Sequence, residues 1–596
     1  MQVSAIDERF GMRRVPQGQP VVSAIARTLP KVVAMLCMCS AAHAQLELTG
    51  LDEPLRENAL THLELDDESC DAAMWRIREQ FSRAEQQIRT GLEAYGFYAS
   101  QISANLAFGV ECWTAQFEVD PGEPVRLRNV SIAVTGQASS DPEFSALAQS
   151  STLRPGEPLS HAEYERVKRA LLDLALYRGY AEAAYTVNRI DVYPQEGVAD
   201  VELRFNSGPR YSFGEIEINQ DALDRSVVEG YYDFRSGDPY DRDRLTALYG
   251  ALVGSGYFRA VDVFPLPADP VSRQIPIEVD LSAGGRRAWS YGIGFSTDTG
   301  PRIRFGRTDR RVNSRGAQLG VDGLLSPVAS ELSFNYRFPY GNPRSEWVSL
   351  NTGLMHEKTD TSTSDTLELG IRRVVSRRSS WQETQFLDLT VEDFEVGDIE
   401  SRSRLLTPGI SWYRVDADTA IRPDRGNRLG LEISAANDSL GSDTDFIQID
   451  ASGKWIWSFE NRSRLLLRAR LGVTRQRNFD ELPASVRFFA GGDNSIRGYG
   501  FESLGPIDEN GAVIGGDRLA VASIEYEVPI RRRWSAAVFI DSGNAFQSGN
   551  FEAKTGAGFG VRWQSPLGPI RVDLAWPIDD AMEDDPRLHV SLGADL

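Results

Sequence analysis

The chain is 596 residues long, with 41% hydrophobic residues and a formal net charge of −21 at pH 7. This length exceeds one ordinary domain and predicts several. The acidic excess argues against a nucleic-acid partner, because a phosphate backbone requires a basic protein surface.

The N-terminus has the features of a secretory signal peptide. Basic residues precede an apolar run over residues 32–39, and Ala-His-Ala at 42–44 is a small-residue cleavage site. We therefore predict a signal peptide over residues 1–44, with translation starting at Met1 or at Met12. Cleavage removes five basic and two acidic residues, so the mature charge becomes 59 − 83 = −24.

Cys70 and Cys112 are the two cysteines that remain after cleavage. Two cysteines in an exported domain indicate a disulfide, with two buried thiols as the alternative. In the chain-entropy description, closing a loop of this size stabilises the fold by roughly 4 kcal/mol.

A weak internal repeat fills residues 46 to about 285. Each copy contains an amphipathic helix that ends in a glycine followed by an aromatic residue, at Gly96, Gly179 and Gly256. A glycine there suits a left-handed helix C-cap. An alternating strand follows each helix, and the next copy opens with another strand. We predict three α+β domains of the pattern βααββ, over residues 45–124, 125–208 and 209–284.

Beyond residue 285 the helical period gives way to segments of about ten residues that alternate apolar and polar side chains. Their polar face carries Arg, Lys and Asp, which are costly inside a packed sandwich but natural in a water-filled barrel. No apolar run after the signal reaches the ~20 residues of a membrane helix. A closed barrel is the other structure that satisfies the backbone in lipid. We predict a 16-stranded antiparallel transmembrane β-barrel over residues 285–596, in contact with the lipid bilayer.

No motif in the sequence indicates an enzyme, a cofactor or a metal. The four histidines of the mature chain lie far apart, and His-Glu-x-x-His, paired Cys-x-x-Cys and Gly-x-Ser-x-Gly patterns are missing from the sequence. The glycines at 556, 558 and 560 superficially resemble a phosphate loop. Alternate glycines on a strand instead predict a face that a loop or a neighbouring wall approaches closely.

The segment Ile496-Arg497-Gly498-Tyr499 predicts a tightly folded loop that presents one cation. A cation inside a barrel requires an acidic partner. The apolar alternation around Glu525 and around Asp541 turns both carboxylates inward, which makes them candidates. The alternative is that these three residues are ordinary lumen or loop charges.

These residues resemble a known superfamily. The loop is similar to the Arg-Gly-Tyr/Phe loop of the BamA/TamA outer-membrane assembly-factor superfamily. Residues 539–543, Phe-Ile-Asp-Ser-Gly, resemble its inner-wall motif, and the βααββ repeats resemble its POTRA domains. The resemblance implies that Arg497 pairs with Asp541 and Glu525. It also implies the outer membrane of a Gram-negative cell, with the POTRA domains in the periplasm.

Three POTRA domains without room for a plug helix are similar to the TamA branch of that superfamily. This resemblance implies insertion or export of outer-membrane and autotransporter-type proteins, with a TamB-like, inner-membrane-anchored periplasmic protein as the partner of the POTRA domains. The alternatives are a two-partner secretion transporter, which exports a passenger through the barrel, and a passive porin with a periplasmic scaffold.

We expect the seam, where the first and last barrel strands meet, to be the functional region of such a protein. Opened strand edges offer backbone groups to which a client strand can add. Gly292 and Gly294 in the first strand would weaken this seam, and the last strand contains Leu592 and ends at Leu596.

Overall fold

A computed structural model describes residues 45–110, 112–377, 380–419, 421–565, 568–579 and 585–593. The signal-peptide prediction lies outside these residues, as does Leu596. None of the helices in the described residues is both long and apolar enough to cross a membrane.

Three small α+β domains come first. Each has two helices and a three-stranded sheet, and the third strand in sequence lies in the centre of the sheet. The sheet orders are β1-β3-β2, β4-β6-β5 and β7-β9-β8. In the first two sheets the opening strand runs parallel to the central strand and the other edge strand runs antiparallel to it. The elements are β1 (Gln45–Thr49), α1 (Glu53–Thr61), α2 (Met74–Glu93), β2 (Gln101–Phe108), β3 (Trp113–Asp120), β4 (Arg126–Thr135), α3 (Pro142–Gln149), α4 (His161–Tyr177), β5 (Ala184–Tyr193), β6 (Val198–Asn206), β7 (Ser212–Asn219), α5 (Arg225–Glu229), α6 (Arg242–Gly254), β8 (Phe258–Pro265) and β9 (Gln274–Ala283).

The central strands and the long helices form the cores of these domains. In the first domain, the buried face of α2, with Ile77 and Ile88, packs with Phe117 of β3 in one apolar cluster. The predicted glycine caps are confirmed, because Gly96, Gly179 and Gly256 have φ values of 89°, 85° and 74°. Only glycine enters this left-handed region without strain, so each long helix ends where the sequence predicts.

A closed barrel of sixteen antiparallel strands follows, with each strand paired to its neighbour in sequence. The strands are β10 (Arg287–Ser296), β11 (Gly300–Asp309), β12 (Gln318–Leu325), β13 (Ala329–Pro339), β14 (Glu346–Lys358), β15 (Ser362–Ser376), β16 (Trp381–Val396), β17 (Ile399–Ala417), β18 (Gly426–Ala436), β19 (Phe446–Ser458), β20 (Arg464–Gln476), β21 (Arg518–Arg531), β22 (Trp534–Phe546), β23 (Lys554–Ser565), β24 (Gly568–Pro577) and β25 (Arg587–Leu592). This architecture confirms the predicted fold class.

Alternation along the strands separates an apolar outside from a polar inside. On β21, Ile524 and Tyr526 are exposed on the outer face, whereas Glu525 and Glu527 are buried on the inner face. The same pattern on β22 buries Asp541 completely. An apolar outer face meets lipid, and the inner face can hold charges.

Candidate functional site

The connection between β20 and β21, residues 477–517, is long and folds back inside the barrel. We call it the lumen loop. It has internal strand-like pairs, Phe488 with Gly516 and Ala490 with Leu504. Ile496 and Tyr499 are buried in an apolar cluster with residues of β21 and β22. The loop is therefore a packed part of the barrel interior.

Arg497 is the centre of the charged contacts of this loop and is 5% exposed. Its Nε and Nη2 donate to the two carboxylate oxygens of Asp541 at 2.7 and 3.0 Å. Its Nη1 donates to Glu525 at 2.7 Å and to Asp573 at 3.1 Å. The guanidinium carbon lies 3.4 Å from the ring centroid of Phe539. Bidentate charged hydrogen bonds and a cation–π contact together hold this cation in one position.

Arg562 of β23 is a second cation in the same cluster. It donates to Glu525 Oε1 at 2.7 Å through Nη2 and to Asp573 Oδ2 at 3.1 Å. Two arginines and three carboxylates give this group a formal charge of 2 − 3 = −1. Buried charges persist when each one has close partners of opposite sign. We call Arg497, Arg562, Glu525, Asp541 and Asp573 the lumen charge cluster.

Sequence reasoning singled out three members of this cluster and missed Arg562 and Asp573. Both follow the alternation that identified Glu525, because each lies between apolar residues on its strand. That pattern indicates an inward side chain, and it was present in the sequence. What it could not indicate is that four neighbouring strands, β21 to β24, converge on one loop residue.

Glycines on β23 make room for the loop, as their alternate spacing predicts. A Cβ atom on Gly556 would lie 1.7 Å from the carbonyl oxygen of Arg497. A Cβ atom on Gly560 would lie 1.8 Å from Asp573 Oδ1. No side chain fits at such distances, so these positions on the inner face of β23 must be glycine.

The seam between β10 and β25 is narrow in the part of the chain that the structure describes. Ser296 and Ser591 form the one residue pair of this ladder among the described residues. Thr297 extends the join, since its N–H donates to the carbonyl of Val590 at 3.0 Å. On its other side β25 makes six pairs with β24. Within residues 585–593, the described part of the chain's end, β25 therefore shares one pair with β10 and six with β24.

The other described residues predicted for the seam lie on its two strands. In the described part of the chain they pair with the neighbouring strands β11 and β24 and form no pair across the seam. Gly292 and Gly294 lie on β10 opposite Arg304 and Arg302 of β11. Leu592 is the last residue of β25 and lies opposite Ile570 of β24.

A side chain of the lumen loop crosses this seam. Asp493 accepts hydrogen bonds from Ser296 Oγ at 2.7 Å and from Thr297 Oγ1 at 3.0 Å, both at the end of β10. It also contacts Nδ1 of His589, on β25, at 2.6 Å. The backbone N–H of Asp493 donates to Asp298 at 2.7 Å. Asp493 therefore links the first strand to the last, and we call these contacts the seam latch.

The tautomer of His589 decides what the seam latch can do chemically. Its Nε2 accepts the N–H of Gly498 at 3.0 Å, so the ring proton is on Nδ1 and is donated to Asp493. Asp298, Asp493 and His589 are close enough to hold a metal ion. A metal on Nδ1 would require the proton on Nε2, where it would oppose the N–H of Gly498. The trio is accordingly built as a hydrogen-bonded latch.

The structure joins Cys70 and Cys112 in a disulfide, with a Cα–Cα distance of 4.7 Å. The bond lies in the first α+β domain and joins the segment before α2 to the residue before β3. A disulfide within one domain stabilises that domain.

Two family models match the chain. Residues 312–595 match the "Omp85 superfamily domain", and residues 45–121 match "POTRA domain TamA domain 1". Both matches agree with the superfamily that the loop and the repeats resemble.

Two curated relatives are named outer membrane protein assembly factor BamA. The one from Nitratidesulfovibrio vulgaris is 23% identical over 442 residues, covering 70% of this chain and 55% of the relative. The one from Neisseria meningitidis serogroup B is 23% identical over 543 residues, covering 78% and 67%. The chain thus spans little more than half the length of the first relative.

Among solved structures, BamA from Haemophilus ducreyi lacking POTRA domains 1–3 matches with a TM-score of 0.67 and 16% identity. The match covers 79% of this chain and 99% of that one. At this identity the likeness concerns the fold.

Proposed function

Because this chain carries an Omp85 superfamily domain and a first POTRA domain of the TamA type, we propose that it inserts outer-membrane proteins into the membrane or exports them across it. The protein is an outer-membrane β-barrel of the Gram-negative type with its POTRA domains in the periplasm. Its clients would include autotransporter-type proteins. The proposed role uses no catalysis and no cofactor.

The observation that carries this proposal is the narrow seam. A ladder with one residue pair in the described residues, Ser296 with Ser591, is easier to separate than ladders of six pairs or more. Separation exposes the edge of β10, whose backbone groups can pair with a client strand. The barrel would then serve as a template on which the client strand forms backbone hydrogen bonds before it enters the lipid.

The seam latch gives the lumen loop a defined part in this role. Asp493 holds both seam strands, and the neighbouring Arg497 anchors the loop to β21, β22 and β24. The strong charge cluster keeps the loop docked while the few latch hydrogen bonds can be broken. We therefore assign the charge cluster a bracing role and the latch a gating role.

A reversible disulfide across the seam tests the proposal. Ser296 and Ser591 are directly opposite in an antiparallel ladder, where Cα–Cα distances of about 4.5–5.5 Å suit a disulfide. The double variant Ser296→Cys, Ser591→Cys should stop client assembly when oxidised and recover it on reduction. Thr384→Cys with Ser411→Cys, a directly opposite pair between β16 and β17, is the matched control.

Undiminished client assembly with a fully formed seam disulfide would rule out insertion through the seam. Secretion of a passenger that continues in the oxidised variant would favour two-partner secretion through the lumen. The reduced double variant controls for the loss of the Ser296 hydrogen bond to Asp493.

The partner in this proposal is a TamB-like, inner-membrane-anchored periplasmic protein bound by the POTRA domains. The TamA-type match of residues 45–121 supports it. The sheet of this domain has two edge strands, β1 and β2, that can accept an added strand. Met74 and Trp75 at the start of α2 are 60% and 69% exposed. Photocrosslinking from Trp75 in intact cells should capture one large inner-membrane-anchored protein, and capture of a secreted passenger instead would contradict this assignment.

A further inference from the structure

Three consecutive arginines, Arg531, Arg532 and Arg533, lie at the end of β21 and in the short turn that leads to β22. We call them the arginine turn. All three residues are exposed, although the mature chain is acidic overall. None of them forms an ion pair within the part of the chain that the structure describes. The turn is therefore a compact patch of exposed positive charge on an acidic protein.

The order of the strands places the arginine turn on the periplasmic side of the membrane. The POTRA domains are periplasmic and lead into β10, and each barrel strand runs antiparallel to the next. Strands with an odd number therefore end on the periplasmic side, and β21 is one of them. The lumen loop follows β20 and accordingly starts from the opposite side.

Apolar residues beside the arginine turn mark the level of the bilayer. Ile530 and Trp534 are 62% and 45% exposed, and the Trp534 ring stacks on Trp563 of β23 with 5.8 Å between centroids. Val528 and Val538 continue the exposed apolar face along β21 and β22. Tryptophan is typical of the level where lipid headgroups meet the hydrocarbon. The three guanidinium groups therefore begin where the lipid-facing wall ends.

The surroundings of the arginine turn supply no net negative charge. The nearest acids along the chain, Glu527 and Asp541, are buried on the inner face of the barrel. The preceding periplasmic turn, residues 459–463, contains one arginine and one glutamate, a net charge of 1 − 1 = 0. The following connection, residues 564–569, contains no charged residue in its sequence. The +3 charge is thus balanced by neither neighbouring turn.

We propose that the arginine turn binds the phosphate of an anionic phospholipid in the periplasmic leaflet, with Ile530 and Trp534 against the acyl chains. Guanidinium groups offer paired N–H donors that fit phosphate oxygens. Each basic residue close to an anionic bilayer surface raises the affinity about fivefold. The site lies on β21 and β22, away from the seam strands β10 and β25, and does not depend on client assembly.

Photolabelling of the full-length protein tests the proposal. The protein in dodecyl maltoside micelles at low ionic strength receives a photoactivatable phosphatidylglycerol, or a phosphatidylcholine with the same chains and label. Chymotryptic peptides are then identified by mass spectrometry. We expect phosphatidylglycerol to label the peptide of residues 527–534 at lower mole fraction than phosphatidylcholine does. The double variant Arg532→Gln, Arg533→Gln should weaken this phosphatidylglycerol labelling about 30-fold, as two basic residues predict.

Two further double variants separate charge from structure. Arg532→Lys with Arg533→Lys keeps the charge and should keep most of the preference for phosphatidylglycerol. Arg154→Gln with Arg169→Gln is the matched control, because both arginines are exposed in the second POTRA domain and form no ion pair in the described chain. Labelling of residues 527–534 should be unchanged in this control. Heat-modifiable gel mobility verifies that each variant has a folded barrel.

The salt dependence gives an independent readout. Raising sodium chloride from about 0.02 to about 0.5 M should remove the preference for phosphatidylglycerol at this peptide, because exposed charges are screened. Equal labelling of the peptide by both lipids at low salt would overturn the proposal. Equal weakening by the Arg532, Arg533 and the Arg154, Arg169 glutamine variants would overturn it as well, and so would a preference that high salt leaves unchanged.

Discussion

Replacing Arg497 with alanine should release the lumen loop while the barrel stays closed. The substitution leaves Asp541, Glu525 and Asp573 buried, with Arg562 as the remaining cation among the five residues of the lumen charge cluster, whose formal charge falls from −1 to −2. Removing one partner of a buried ion pair costs about 3–5 kcal/mol. We expect the free energy of loop docking to fall by about that amount. The strand ladders do not include Arg497 and should persist.

A double-mutant cycle with Asp541→Ala turns this expectation into a measured coupling. Hydrogen–deuterium exchange of peptides from residues 477–517 reports loop opening in the intact protein, and heat-modifiable gel mobility reports the barrel. The bidentate contact predicts a coupling energy of about 2–3 kcal/mol between the two substitutions. The exposed pair Arg402 and Asp393 is the control and should couple by less than about 1 kcal/mol.

Additivity of Arg497→Ala and Asp541→Ala within about 0.5 kcal/mol would refute the reasoning, because independent sites behave in that way. Loss of the heat-modifiable form in either single variant would contradict the separation of loop docking from barrel closure.

Two further predictions concern the glycine face and the disulfide. Gly556→Val should expel the lumen loop at a cost of about 3 kcal/mol, because its Cβ meets the Arg497 carbonyl. Gly353→Val, where a Cβ meets nothing within 4 Å, should leave exchange of the loop unchanged, and equal protection in both variants would contradict the prediction. Cys70→Ser should destabilise the first POTRA domain by about 4 kcal/mol, measured as protease sensitivity of residues 45–120 during urea unfolding of the full chain. Reduction of the native protein should match it, and an unchanged midpoint would show that the disulfide contributes little.

Local patterns in the sequence were sufficient to predict the architecture. The glycine caps at Gly96, Gly179 and Gly256 and the alternation of the C-terminal half depend on neighbours within a few residues. Inward orientation of Glu525 and Asp541 follows from the same period of two. Helix and strand geometry determine such features from residues that are close in the chain. They can therefore be predicted from a single sequence.

Contacts that require the closed barrel could not be predicted in the same way. Asp493 and His589 are 96 residues apart and meet because the last strand returns to the first. Arg562 reaches Glu525 across the strand that lies between them. These contacts depend on strand stagger and barrel closure, which the period of a single strand does not contain.

The position of the lumen charge cluster in the chain has a consequence for the order of assembly. Every carboxylate that binds Arg497 lies C-terminal to it, at Glu525, Asp541 and Asp573. His589, which accepts the N–H of Gly498, comes later still. The loop therefore cannot form all of these contacts until the final strands have been added. The complete set of Arg497 contacts thus distinguishes a barrel that has gained β24 from one that has not.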